Sequence, residues 1–238
     1  MKKIFTLIAV ALCAMSVNGQ ETLAISVGET YSDGQELTTA NCSVTLGMDK
    51  KGWTVKSGTV GPFTAYVSGG NNPKDDNGSG YKPETANLPT NGTYYILSPK
   101  TDGTIEVGMV LNTGKNFYVV NGDGTAMETS KFTLTNKDNT VVTLDENNQV
   151  AEKFYGTVSF AATANSKYYV FCSGSKLGFY GYIFTAAASG DQDDQAGISS
   201  ATANVEASNA PVFNLAGQRV GKEYKGVVVK NGRKYVQK

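Results

Sequence analysis

Hydrophobic and polar residues alternate in short runs along most of this chain. In "CSVTLGM", Cys42, Val44, Leu46 and Met48 fall on one side, and Ser43, Thr45 and Gly47 on the other. In "FTAYVSG", Phe63, Ala65 and Val67 oppose Thr64, Tyr66 and Ser68. A period of two marks a strand with one buried face, because successive Cβ atoms point to opposite sides of a sheet. The spacing of an amphipathic helix is almost absent between residues 21 and 187. Strands are predicted near 41–48, 53–57, 63–68, 93–98, 104–111, 116–120, 131–135, 140–145, 156–163, 167–172 and 177–185. Turn-forming residues separate them, as in "NTGK" at 112–115, "NGDG" at 121–124 and "SGSK" at 173–176. Many short strands in one stretch predict an all-β fold, an antiparallel β-sandwich of jelly-roll-like type. "GTIEVGMVLNTGKNFYVVN" (103–121) and "GTVSFAATANSKYYVFCSG" (156–174) repeat one pattern of strand, Asn-containing turn, Lys and aromatic strand, which predicts a repeated antiparallel hairpin.

The pattern breaks at both ends. Lys2 and Lys3 precede an apolar run from Ile4 to Met15, followed by "SVNGQ" with Val17 and Gly19 placed for cleavage before Gln20. That is the form of an export signal over residues 1–19, and the run is short of the ~20 apolar residues a spanning helix needs. Leu12 stands where a lipobox before Cys13 would need a small residue, so export without a lipid anchor is expected. Residues 20–187 then form the β domain. Residues 188–209, with "SGDQDDQAG" at their start and no aromatic, read as a flexible linker. Residues 210–238 form a small C-terminal β module, in which Asn231-Gly232 between "VVVK" and "RKYVQ" is a strong hairpin signal.

The ending "VFNLAGQRV" (212–220), "KGVVV" (225–229) and "NGRKYVQK" (231–238) resembles the C-terminal sorting domains of Bacteroidetes-type exported proteins, with Val228 where those tails carry tyrosine. The resemblance covers about 40 residues and implies delivery by a type IX-like secretion machinery to the cell surface or the medium. More weakly, "NGTYYILSPKTDGTIEV" (91–107) and "KYYVFCSGSKLGFYGYIF" (167–184) resemble β-sandwich domains found beside polysaccharide-degrading modules. That likeness implies an association with glycan.

Charge and composition narrow the chemistry. The chain has 21 basic and 21 acidic residues, but the bases gather at the end: from Gly197 onward seven face two acids. An acidic body argues against nucleic acid as a partner. The absence of histidine removes Ser-His-Asp and Cys-His systems and His-ligated zinc. After signal cleavage Cys42 and Cys172 remain, and export permits a disulfide between them, while two buried small hydrophobes is the other reading. A carboxylate pair among Asp75, Asp76, Glu84, Asp145, Glu146 and Glu152 could support glycoside hydrolysis, but no motif singles one out.

The binding candidates cluster around the longest irregular stretch, residues 68–92. Tyr66 alternates with the apolar set of its strand and so points outward; with Tyr81 it forms the expected exposed aromatic platform, supplied with polar groups by Asn72, Asp75, Asp76 and Asn77. The same loop partly fits a calcium loop through Asp75, Asn77 and Glu84, although Pro73 falls at the first ligand position. Trp53 shares a face with Val55 and is expected in the core. The expectation is a secreted, non-catalytic β-sandwich that binds a polysaccharide or cell-surface glycan. A surface adhesin that contacts proteins or itself is the alternative, and a small carbohydrate-active enzyme the third reading.

Overall fold

Each strand predicted from residue 41 to 185 forms. The computed structural model describes residues 19–47, 53–187, 211–214, 217–221, 223–230 and 233–237. The expected signal segment before Gly19, the linker from 188 to 209, Met48 and the Asn231-Gly232 turn lie outside the described residues. The fold is all-β and its strand pairs are antiparallel; among the described residues the helical structure is one 3-10 turn, Thr129–Lys131. The chain divides into two compact units, the first ending at Ala188.

The strands of the first unit are β1 (Gln20–Ala24), β2 (Glu36–Thr38), β3 (Cys42–Gly47), β4 (Thr54–Val60), β5 (Phe63–Ser68), β6 (Tyr94–Pro99), β7 (Gly103–Leu111), β8 (Asn116–Asn121), β9 (Phe132–Asn136), β10 (Val141–Val142), β11 (Phe154–Ala162), β12 (Tyr168–Ser173) and β13 (Gly178–Ala186). One sheet runs β10-β9-β11-β7-β13-β5-β4, with β1 also paired to β13; the other runs β2-β3-β6-β12-β8. Ala65, Val67, Val107 and Phe179 of the first sheet share one buried cluster with Val44, Leu46, Tyr95 and Val170 of the second. The Tyr95 ring stacks on Phe179, with centroids 4.5 Å apart. The two sheets therefore face each other across a single core. Each large side chain buried there contributes about 1.5–3 kcal/mol.

Two strands escaped the alternation. In β1 the core-facing positions are Glu21 and Leu23, followed just past its end by Ile25, all buried. An acid at an inward position hides the strand from a hydrophobic pattern. The Asn41 backbone N–H and side-chain amide both donate to the Glu21 carboxylate, which makes its burial tolerable. β2 has only three residues, one of them buried.

β13 changes phase in its middle. Leu177 and Phe179 point into the core, and so do Tyr182 and Phe184, because Tyr180 and Gly181 together oppose one residue of β7. This is a β-bulge, and Gly181 at φ 134° supplies the backbone conformation it requires. Tyr180 is turned onto the outer face, where it joins Val60, Phe63, Val110 and Ile183.

The repeated segment is not a repeated hairpin. β7 and β8 lie in different sheets, as do β11 and β12. The two copies pair with each other instead, β7 with β11 and β8 with β12. Two strand–turn–strand ribbons thus cross together from one sheet to the other, each covering the other's edge.

The two cysteines among the described residues, Cys42 and Cys172, are free and buried. Cys42 of β3 and Cys172 of β12 flank β6 in the five-stranded sheet, on strands two spacings of ~4.8 Å apart. They are also offset along the strands, since Cys42 pairs with Pro99 while Val170 pairs with Tyr95. A bridge needs Cα atoms within ~7 Å.

The second unit holds a four-stranded antiparallel sheet in the order β15 (Arg219–Val220), β14 (Val212–Asn214), β16 (Gly226–Lys230), β17 (Arg233–Gln237). Lys230 pairs with Arg233, the register of a two-residue hairpin. Val228 is buried, while Tyr235 and Val236 are exposed.

Candidate functional site

Tyr66 and Tyr81 do not form one platform. Tyr66 stands on the outer face of the eight-stranded sheet, half-buried against Tyr180. Tyr81 is buried, 4% exposed, on the outer face of the five-stranded sheet among Tyr118, Val120 and Phe171. Its ring lies 5.0 Å from Tyr118 and 5.3 Å from Phe171, and its hydroxyl donates to the Gly124 carbonyl at 2.8 Å. A ring in an irregular stretch gives no period from which to read burial, so Tyr81 looked exposed. It is the residue that anchors the loop to the sheet.

The loop from 69 to 93 is held by its own polar groups. Asp75 accepts the backbone N–H groups of Asn77 and Ser79, at 3.0 and 2.7 Å, and the Asn87 amide at 3.1 Å. The Ser79 N–H is the largest influence on the Asp75 carboxyl, and with the other donors it holds the group below the ordinary aspartate range despite some desolvation. Asp76 accepts from Thr90. Asn72, Asp76 and Asn77 are exposed, as is Glu84. The carboxylate placed as a calcium ligand thus serves as the hub of a turn. Among the described residues no cluster of three acidic or cysteine side chains is arranged to hold a metal.

Tyr66 belongs to a different assembly, a row that crosses five strands. Lys56 of β4 pairs with Tyr66 of β5, and Ser68 pairs with Gly178 of β13. Gly178 pairs with Val110 of β7, and Val110 with Tyr155 of β11. At ~4.8 Å between strands, the row spans about 19 Å. Gly178 is its floor. A Cβ there would lie 2.9 Å from Cδ2 of Tyr66 and 3.0 Å from Cβ of Val110, so only glycine lets the ring lie across β13. Beneath Tyr66, its centroid 5.0 Å away, is Tyr180, fully buried and with no hydrogen-bond partner for its hydroxyl. Burial raises the Tyr180 phenol to about 12, so it stays neutral.

A cleft of about 120 Å³ opens beside Tyr66, lined on its polar side by Lys56, Ser68, Asn112, Lys153 and Lys176. A wider trough of about 360 Å³ continues past Lys153 along Tyr155 towards Lys137, Asp138 and Glu152. The ammonium of Lys153 sits 5.1 Å from the Tyr155 ring centroid. Hydrogen bonding with the Tyr155 side chain is the main reason its pKa is raised, followed by charge interactions with Tyr155 and Tyr66. The single ion pair among the described residues is Lys137–Asp138, so Lys56, Lys153 and Lys176 are unpaired cations. The three come from β4, the segment before β11 and the turn before β13. No sequence motif joins them; strand register does.

Trp53 behaves as expected, packed against the core with its ring edge-on to Tyr95 at 6.4 Å. No family model matches the chain, and no curated protein matches it significantly.

Proposed function

We propose that residues 20–187 are a non-catalytic glycan-binding domain of a protein exported to the cell surface or the medium, built as a jelly-roll-like sandwich, and that its ligand lies along the row from Lys56 to Tyr155. The carrying observation is the half-exposed Tyr66 ring held over the Gly178 floor beside a polar cleft. A sugar presents an apolar C–H face that stacks on a ring and hydroxyls that need donors and acceptors, here Ser68 and Asn112. A row crossing five strands suits a chain of sugars better than a single ring. A glycan array probed with the purified full chain tests the reading. Binding that Tyr66→Ala weakens about ten-fold and Tyr81→Phe leaves unchanged supports it, by the scale of one lost apolar contact. An array without hits rejects it.

The second unit acts in delivery, as its resemblance to sorting tails implies: a small basic sheet, with Lys225, Lys230, Arg233 and Lys234 along or beside its last hairpin, that the secretion machinery reads. Removing residues 210–238 is expected to change where the protein accumulates. An unchanged distribution in cell fractions would refute this.

A further inference from the structure

We infer that the ligand of the Tyr66 cleft is an acidic polysaccharide, one carrying carboxylate or sulfate groups; this deepens the glycan-binding reading and rests on it. The chain as a whole is balanced, and the body before Gly197 carries more acids than bases. Against that background the cleft is lined by Lys56, Lys153 and Lys176 and by no acidic side chain. None of the three lysines is spent on an ion pair among the described residues. Three cations around one cleft with no carboxylate among its lining leave it locally positive, a setting that complements an anion.

The geometry also sets the form of the anion. Lys56 stands opposite Tyr66, Lys176 two residues before the Gly178 floor, and Lys153 beside Tyr155 at the far end of the row. A ring that stacks on Tyr66 can therefore present a charged substituent to lysines on more than one side. Hydroxyls alone would leave three ammonium groups without counter-charge. The adjoining trough holds Glu152 and the paired Lys137–Asp138, so the excess of positive charge lies in the Tyr66 cleft.

Matched polymers test the charge directly. The full chain is titrated with polygalacturonate and its methyl ester, and with dextran sulfate and plain dextran, at low and high salt. The anionic member of a pair is expected to bind at least ten-fold more tightly, with the preference fading as salt screens the lysines. Replacing one lysine by glutamine should cost roughly three-fold, the scale of one exposed ion pair. The triple variant K56Q/K153Q/K176Q should lose the preference while keeping its melting temperature, since all three side chains are exposed. Equal binding of charged and uncharged partners overturns the inference and leaves the glycan reading standing. No binding to any of the four polymers, with hits absent from an array as well, removes both. Anionic phospholipid vesicles and inorganic phosphate serve as further arms: lysine-dependent binding to either, without binding to the polymers, overturns the assignment to polysaccharide.

Discussion

Tyr66 lies over Tyr180, with ring centroids 5.0 Å apart and planes inclined by 48°. The outer ring meets solvent and the inner one is fully buried. Tyr66 is thus both lid and platform: it covers an unpartnered hydroxyl and presents its other face to the cleft. Tyr66→Ala should cost about 1–2 kcal/mol of stability through lost burial, besides its effect on binding. Tyr66→Phe should cost little of either. Chemical denaturation of the three proteins measures the first effect and titration with glycan the second. If Tyr66→Ala were as stable as wild type, the packing on Tyr180 would carry no energy.

Tyr81 gives the contrasting case. Its ring closes a cluster with Tyr118 and Phe171 and ties the 69–93 loop to β8 and β12. Tyr81→Ala should destabilise by about 3–5 kcal/mol, the range for a deleted buried aromatic. Tyr81→Phe removes only the bond to Gly124 and should cost about 1 kcal/mol. Glycan affinity, measured well below the melting point, should be the same in Tyr81→Phe as in wild type. Lost binding in that variant would show that the two outer faces are not independent.

The difference between these tyrosines shows what was legible in the chain. Alternation identified the strands from β3 to β13, because one buried face imposes period two on a strand whatever its partner. It also turned Tyr66 outward correctly. It failed where a core-facing position is polar, as at Glu21, and where no period exists, as around Tyr81. The repeat at 103–121 and 156–174 was visible, but which strands it would pair was not, since pairing is decided between segments about 50 residues apart. The lysines escaped for the same reason. Lys56, Lys153 and Lys176 become neighbours only through the order β4-β5-β13-β7-β11, which no local spacing encodes.

The thiols offer a test of the core. Burial pushes both Cys42 and Cys172 up to about 12, in Cys42 against opposing hydrogen bonds. Neither forms thiolate near neutrality, so neither should react. In protein beginning at Gln20, a thiol reagent at about pH 8 should label almost nothing in the native state. Both cysteines should react after denaturation without reductant. Failure to find two thiols in the denatured protein would mean that a bridge forms despite the intervening β6.

Glu21 sets an acid limit on stability. Desolvation, the largest single influence, favours the protonated form, yet the hydrogen bonds from Thr39 and Asn41, together with the charge of Lys100, outweigh it and lower the pKa from the ordinary 4.5. The folded state thus holds this proton less tightly than the unfolded chain. Its contribution is present above the unfolded pKa and is lost as pH falls through the folded one. Glu21→Gln removes the charge and turns part of the acceptor into a donor facing the Asn41 N–H. At neutral pH this should cost about 1.5–3 kcal/mol, as for hydrogen bonds to a charged group. In a domain of this size that is roughly 3–12 °C in melting temperature. The gap between wild type and variant should begin to narrow as pH falls below the unfolded glutamate range of about 4.3 and should go on narrowing through the lowered folded pKa, where the wild-type carboxylate takes up its proton. Melting curves of both proteins across that range measure it. A gap that stays constant or widens in acid would mean that Glu21 is not held as the carboxylate.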